Sequence, residues 1–342
     1  MLRLPPFKYL EPKTLAQATK MKADAGESGM YVAGGTDLLP NMKRRHQEPK
    51  IVISLTGVSN LYGVRRSGKQ GEARSRPGAS SGKRGAIVGA MVSLSELAAN
   101  RQIRKHYPVL AQAARLVSTP QLRNMGTLGG NLCLDTRCNY YNQSYEWRKA
   151  IDFCMKKDGE ICWVAPSSTR CWAVSSSDTA PVVVALDAQL RLVGPDGERV
   201  LPAREFYRND GIDYLNKHPD EILTEVQLPP PDSWDATYWK LRRRGSFDFP
   251  VLGVAAWIRW DEDVVAEARI VLGAVASYPV EMNDAAARIV GSRLEDDAIA
   301  AAAQAAFRPT KPMDNTDYGL AWRKEMTRNY VCRALTELRD RR

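Results

Sequence analysis

Only three histidines occur in 342 residues, and that scarcity rules out a good deal of chemistry. His46, His106 and His218 lie in unrelated, mostly polar stretches, which marks each as a surface residue. No Ser-His-Asp arrangement, H-E-x-x-H run, EF-hand loop or paired-carboxylate motif can be assembled from this chain. Long apolar runs are missing too. The stretches "PVVVALDAQLRLV" and "VLGVAAWIRW" are of strand length, short of the roughly 18 to 20 apolar residues that a membrane span needs. The leading "MLRLPPFKYLEPKTLAQATK" has no apolar h-region and no small-residue cleavage site, so no signal peptide is expected. A soluble cytoplasmic protein follows, and its thiols stay reduced. Neither G-x-G-x-x-G nor the P-loop lysine pattern is present, which disfavours a Rossmann or ATPase reading.

What is present begins with ordinary globular composition, 44% hydrophobic and 26% charged. The length calls for two or three domains. The net charge is +10, much of it from "RRSGKQGEARSRPGASSGKR" (65–84) and from the last dozen residues. The first of these stretches is Gly/Ser/Arg-rich and reads as a surface loop. No nucleic-acid fold or base-stacking motif accompanies it, so no nucleic-acid partner is expected. A solvated loop, or attraction to an acidic partner or an anionic cofactor, remains.

Along the chain, "KTLAQATKMKADAG" (13–26) has helical spacing, and "MYVAGG" is a strand running into a glycine turn. "KIVISLTGV" is another strand. "AIVGAMVSLSELAANRQIRKHYPVLAQAARLVS" passes from a strand to two helical stretches separated at His106–Pro108. "PVVVALDAQLRLVGPDGERVLPAREFY" gives a strand and a hairpin around Pro-Asp-Gly. The proline-rich "LPPPDSW" marks a domain boundary near residue 230. Antiparallel strands follow, turning at Asp261–Asp263, and then the helices "DDAIAAAAQAAF" and "YGLAWRKEMTRNYVCRALTELRDRR". The class is α+β.

Two loops have the composition of phosphate cradles, "VAGGTDLL" (32–39) and "GTLGGNL" (126–132). Consecutive glycines let the backbone approach an anion closely and turn N–H groups toward it. Either pair alone is equally well a tight turn. Four of the six cysteines cluster at Cys138, Cys154, Cys162 and Cys171, at intervals of 16, 8 and 9. Four thiolates coordinate either zinc or an iron–sulfur cluster. No short C-x₂₋₄-C knuckle is present, and the spacing alone leaves cluster, zinc and buried structural thiols open. Cys332, on the last helix, reads as a structural thiol.

The motifs "YVAGGTDLLPNMK", "VGAMVSLSELA", "LRNMGTLGGNL" and "SSDTAPVVVALDA" occur in an order and spacing that resemble the FAD-binding subunits of the molybdenum hydroxylases. "YWKLRRRGSFDFPVLGVAAW" and the final helix resemble that family's C-terminal domain, so the likeness spans nearly the whole chain. It implies a vanillyl-alcohol-oxidase/PCMH-type FAD-binding fold in two lobes, 1–60 and 61–230. A C-terminal α+β domain of the carbon monoxide dehydrogenase flavoprotein type, 231–342, would follow. The two glycine loops would clasp the FAD pyrophosphate through Ala33, Gly34, Gly35, Thr36, Asp37 and Leu38, and through Thr127, Gly129, Gly130 and Asn131. Asp178 would accept from an FAD hydroxyl or amine, and Lys240 would lie beside the flavin.

Family members run from the GGN turn to the SSD segment through a short loop, whereas this chain carries about forty extra residues, 135–174. The insert resembles that of the 4-hydroxybenzoyl-CoA reductase flavin subunit, which implies a [4Fe–4S] cluster on Cys138, Cys154, Cys162 and Cys171, with Cys133 left over. The aromatic residues around the cysteines, from Tyr140 to Trp172, would limit water access. The same resemblance implies partner subunits carrying a molybdenum cofactor and [2Fe–2S] clusters in a dimer of heterotrimers, with ferredoxin as electron donor. Alternatives are a subunit of an oxidising hydroxylase, and a zinc-stapled binding module without redox chemistry.

Overall fold

The computed structural model describes residues 3–67 and 84–342, so most of the basic stretch 65–84 lies outside the described residues. The chain opens with β1 (Lys8–Leu10), α1 (Leu15–Ala25), β2 (Gly29–Val32), α2 (Leu38–Lys43) and β3 (Ile51–Ser54). Thr14 starts α1 by accepting from the N–H of Gln17, and Gly26, at φ 53°, stops it. The three strands form a parallel sheet in the order β1-β3-β2. Parallel pairing sends the chain from β2 back to β3 through a crossover, and the VAGG turn and α2 occupy that crossover.

Next come β4 (Val64–Arg66), β5 (Ala86–Gly89), α3 (Leu94–Ala99), α4 (Arg101–His106) and α5 (Pro108–Leu116). They are followed by α6 (Pro120–Met125), α7 (Leu128–Leu132), α8 (Tyr145–Ala150), α9 (Ala180–Ala185), β6 (Gln189–Gly194), β7 (Gly197–Pro202) and β8 (Ile222–Leu228). The strands build a five-stranded antiparallel sheet, β4-β5-β8-β6-β7. The helices cover it over a core that includes Leu97, Leu110, Leu128, Val183, Leu190 and Phe206. One expectation fails here. "PVVV" is not a strand but the first turn of α9, with Pro181 at its N-terminus and all six residues buried. Proline suits the first helical turn, where its missing N–H has no partner to lose.

The C-terminal part contains β9 (Trp234–Leu241), β10 (Leu252–Asp261), β11 (Val264–Gly273), β12 (Val280–Glu281), α10 (Asn283–Ala287), α11 (Asp296–Phe307) and α12 (Leu320–Asp340). Its antiparallel sheet runs β12-β11-β10-β9, and α11 and α12 pack on one face through Ile299, Val331, Leu335 and Leu338. The other face meets the first core, where Tyr238, Ala255, Trp257 and Val271 join the cluster containing α5 and α9. Cys332 is half-buried on α12, and burial raises its thiol pKa.

Candidate functional site

The two glycine loops touch. A Cβ placed on Gly34 would lie 1.7 Å from the carbonyl oxygen of Met125, so only glycine permits this approach of the first loop to the second. Gly35 sits at φ 70°, in the left-handed region that favours glycine. Among the described residues nothing accepts from the backbone N–H groups of Gly34, Gly35, Thr36 or Asp37, and all four lie half-buried. Half-buried, unpaired N–H groups in a row are the donor set that an anion would satisfy. Leu38 is buried and begins α2. Ala33 lies half-buried beside Gly130, whose added Cβ would reach its methyl at 3.7 Å.

The second loop is built differently, because its donors are already committed. The N–H groups of Leu128 and Gly129 reach Val92 and Ala90, that of Gly130 reaches Thr127 Oγ1 at 3.0 Å, and that of Asn131 reaches the Thr127 carbonyl. A Cβ on Gly129 would collide with Ala90. Asn131 is buried, and its Oδ1 accepts from Ser177 Oγ (2.9 Å), Thr179 N (3.2 Å) and Thr179 Oγ1 (2.7 Å). The second loop therefore braces the segment carrying Asp178, while the first keeps its donors free.

Asp37 would repel a phosphate were it not neutralised. Its carboxylate forms an ion pair with Arg137, and the Asn41 amide donates to it at 3.2 Å. Arg137 is buried, also donates to Asn41 Oδ1, and lies under the ring of Phe249. The insert is thus tied to the first glycine loop one residue before Cys138. Asp178 and Lys240 meet as a buried ion pair at 2.8 Å, with side chains 3% and 1% exposed. Tyr238 donates its hydroxyl to the other carboxylate oxygen at 2.9 Å, and Lys240 also donates to the Leu116 carbonyl. Burial pushes the Asp178 pKa up and the Lys240 pKa down, each toward its neutral form, and their pairing opposes both shifts.

The four clustered cysteines come together. Cys138, Cys154, Cys162 and Cys171 are buried and free, and all four line one pocket with Tyr140, Tyr141, Lys156 and Trp163. The backbone N–H of Ala173 donates to Cys171 Sγ at 3.4 Å. Burial raises the thiol pKa of Cys138 to about 12 and of Cys171 to about 11. Cys133 is not among the pocket's lining residues; it follows the second glycine loop beside Tyr207, and burial raises its pKa to about 11. Among the described residues no three His, Cys, Asp or Glu side chains are grouped so as to grip a single metal ion, although the four cysteines line the same pocket.

Sequence reasoning missed several members of this region. His46 is not a surface residue. It is 3% exposed, stacks on Tyr141 with ring centroids 4.4 Å apart, and faces the Gln143 carbonyl through Nε2. Burial lowers its pKa to about 4. Arg137, Arg148 and Lys156 are enclosed cations of the insert that the cysteine spacing did not single out. The available signal for Arg137 was its place directly before Cys138.

With this geometry in view, comparison with known proteins decides the family. Residues 5–231 match the FAD binding domain in molybdopterin dehydrogenase, and residues 236–338 match the CO dehydrogenase flavoprotein C-terminal domain. The chain belongs to the FAD-binding subunits of the molybdopterin dehydrogenase family. The aldehyde oxidoreductase FAD-binding subunit PaoB of Escherichia coli (strain K12) is 31% identical, over 83% of this chain and 86% of its own. The carbon monoxide dehydrogenase medium chain of Hydrogenophaga pseudoflava is 25% identical, over 97% and 96%. A chain of the cyanide-inactivated Cu,Mo-CO dehydrogenase superposes with a TM-score of 0.79 at 24% identity, covering 99% of this chain and 100% of that one, and so shares its fold. As a member of this family the chain binds FAD and acts as an oxidoreductase subunit. The unpaired N–H row of the first loop fits that cofactor's diphosphate. No helix among the described residues is long and apolar enough to cross a membrane.

Proposed function

We propose that this chain is the flavin and [4Fe–4S] electron-transfer subunit of a molybdenum-containing reductase of the 4-hydroxybenzoyl-CoA reductase type, fed by ferredoxin. Partner subunits would carry the molybdenum cofactor and the [2Fe–2S] clusters, assembled as a dimer of heterotrimers. Bound FAD would supply the exchange between one- and two-electron chemistry, and the cluster a one-electron relay. Removing a phenolic hydroxyl as water consumes two electrons and two protons, so two one-electron donors serve each turnover.

The positions of the chain's own residues support the following roles. Gly34, Gly35, Thr36 and Asp37 offer N–H groups to the FAD diphosphate, with Ala33 and Leu38 flanking them. Thr127, Gly129, Gly130 and Asn131 hold the opposite loop in register. Asp178 and Lys240 supply a rigid charged floor, because each fixes the other.

One observation carries the cluster assignment. Cys138, Cys154, Cys162 and Cys171 are buried around one pocket inside an insert whose buried Arg137 and Arg148 keep unpartnered guanidinium nitrogens. Buried guanidinium N–H groups without acceptors are costly, and an anionic group within the insert would offer them partners. A tetrahedral zinc site would draw its four sulfurs to within about 3.8 Å of one another, given Zn–S bonds near 2.3 Å. A cubane is instead gripped from outside by four cysteines at separated iron corners, and four buried cysteines line this one pocket.

A second reading is favoured by the names of the relatives, several of which are dehydrogenases: an oxidising hydroxylase subunit that delivers electrons to an external acceptor. Iron, acid-labile sulfide, zinc and flavin should be assayed in the anaerobically purified complex and in its Cys162→Ser variant. Loss of about four iron and four sulfide with FAD retained is expected for a cubane held by four cysteines. Loss of zinc instead would leave a flavoprotein with a structural insert. Turnover that proceeds without reduced ferredoxin would favour the oxidising reading.

A further inference from the structure

The insert encloses three cations, Arg137, Arg148 and Lys156. Arg148 is fully buried; its Nη2 reaches the carbonyls of Arg44 and Arg45, while its Nε and Nη1 have no hydrogen-bond partner. The nearest carboxylate to Arg148 is that of half-exposed Asp158, at 4.0 Å. Arg137 is spoken for by Asp37 on one side and leaves Nε unpartnered on the other.

Among the described residues lining the pocket of the four cysteines, Lys156 is the one cation. Lysine normally extends its ammonium to water. This one is held inside, 7% exposed, by Asp135 Oδ1 at 2.9 Å, Thr136 Oγ1 at 2.8 Å and the Gly211 carbonyl at 2.5 Å. The ammonium also lies 5.0 Å and 5.4 Å from the ring centroids of Tyr141 and Tyr214. Asp135 is fixed in turn by the Tyr141 hydroxyl at 3.0 Å. Three acceptors and two aromatic faces leave the charge no freedom to move away.

We propose that the Lys156 ammonium is a fixed counter-charge to the cluster, held in place by Asp135, and that the pair sets the potential at which the cluster accepts an electron. The inference rests on the cluster reading above. A cubane of two ferric and two ferrous ions, four sulfides and four thiolates carries a charge of about 2−, and one electron from the donor protein makes it 3−. No proton moves in this step. A positive charge beside the pocket favours the reduced form, and a negative one disfavours it. Lys156 is therefore a positioning and tuning residue, acting through the field it exerts.

The test is a redox titration of the anaerobically purified complex, following the electron paramagnetic resonance signal that Cys162→Ser abolishes. Lys156→Met should shift that midpoint downward at full iron content, Lys156→Arg should bring it back toward wild type, and Asp135→Asn should move it upward. Opposite shifts from the two partners are what a merely structural pair would not produce. Unchanged midpoints in iron-replete variants would overturn the proposal. So would loss of the cluster in both Lys156→Met and Asp135→Asn, which would make the pair a scaffold. If Cys162→Ser removes no iron, it is the cluster reading itself that falls.

Discussion

Replacing Gly34 with alanine is the sharpest perturbation of the flavin cradle, because the obstruction it creates is backbone. The added methyl would stand 1.7 Å from the Met125 carbonyl oxygen and 2.5 Å from its carbon, against a peptide that has no rotamer to change. Either the first loop retreats or α6 and the second loop do. Overpacking of this kind costs about 1 to 3 kcal/mol. If most of that falls on the geometry of the cradle, FAD should bind about 5- to 160-fold more weakly, since about 1.4 kcal/mol corresponds to tenfold. The measurement is a flavin titration of the apoprotein, beside thermal unfolding of the same samples. Gly319→Ala is the matched control, because its Cβ would meet nothing within 4 Å. A Gly34→Ala protein that binds FAD as the wild type does would refute the claim that the two glycine loops must touch for the cofactor to be held.

Three further outcomes are expected. Asp178→Asn and Lys240→Met should each lower stability by about 3 to 5 kcal/mol, because each strands a buried partner, while the double replacement recovers part of the loss; denaturant unfolding of the three variants measures this. Cys154→Ser should lose the cluster's iron and keep FAD, whereas joint loss of both by metal and flavin assay would mean that the insert is required for folding. His46 is neutral in the folded chain, its pKa lowered from 6.5 to about 4, so the unfolded chain binds more protons between those values. Stability should therefore fall as pH drops from about 6.5 to about 4, by up to about 1.4 kcal/mol per unit; His46→Phe, which cannot take up the proton, should flatten that slope in acid-unfolding curves.

Parts of this molecule were legible before any coordinates. The glycine pairs announced themselves because a steric demand for glycine is local: Gly34 and Gly35 stand beside each other wherever the chain goes. The cysteine cluster was legible for the same reason, as four thiols within one short stretch. What escaped was decided by distant partners. "PVVV" favours a strand by its β-branched side chains, yet it lies buried on every side between the two sheets, and no periodicity survives to reveal a helix. His46 looked exposed because its neighbours are polar, and it is buried where Tyr141, far along the chain, stacks on its ring. Asp178 and Lys240 were each read singly, and the pairing between them, across 62 residues, left no sign in the sequence.

The insert is also stitched to residues that come much later. The Asn139 N–H reaches the Asn315 carbonyl, the Asn315 amide reaches the Trp172 carbonyl, and the Ser175 N–H reaches Ala276. During synthesis the four cysteines emerge long before the segments that clamp both ends of their loop. Domains fold in the order in which they appear, so the sulfur pocket stays ajar until the C-terminal sheet and the approach to α12 have been made. If the pocket holds the cluster proposed above, iron and sulfide have a window for delivery that opens with the insert and narrows as the end of the chain docks. The segment around Asn315, far along the chain from the cysteines, would then time the closing of the insert.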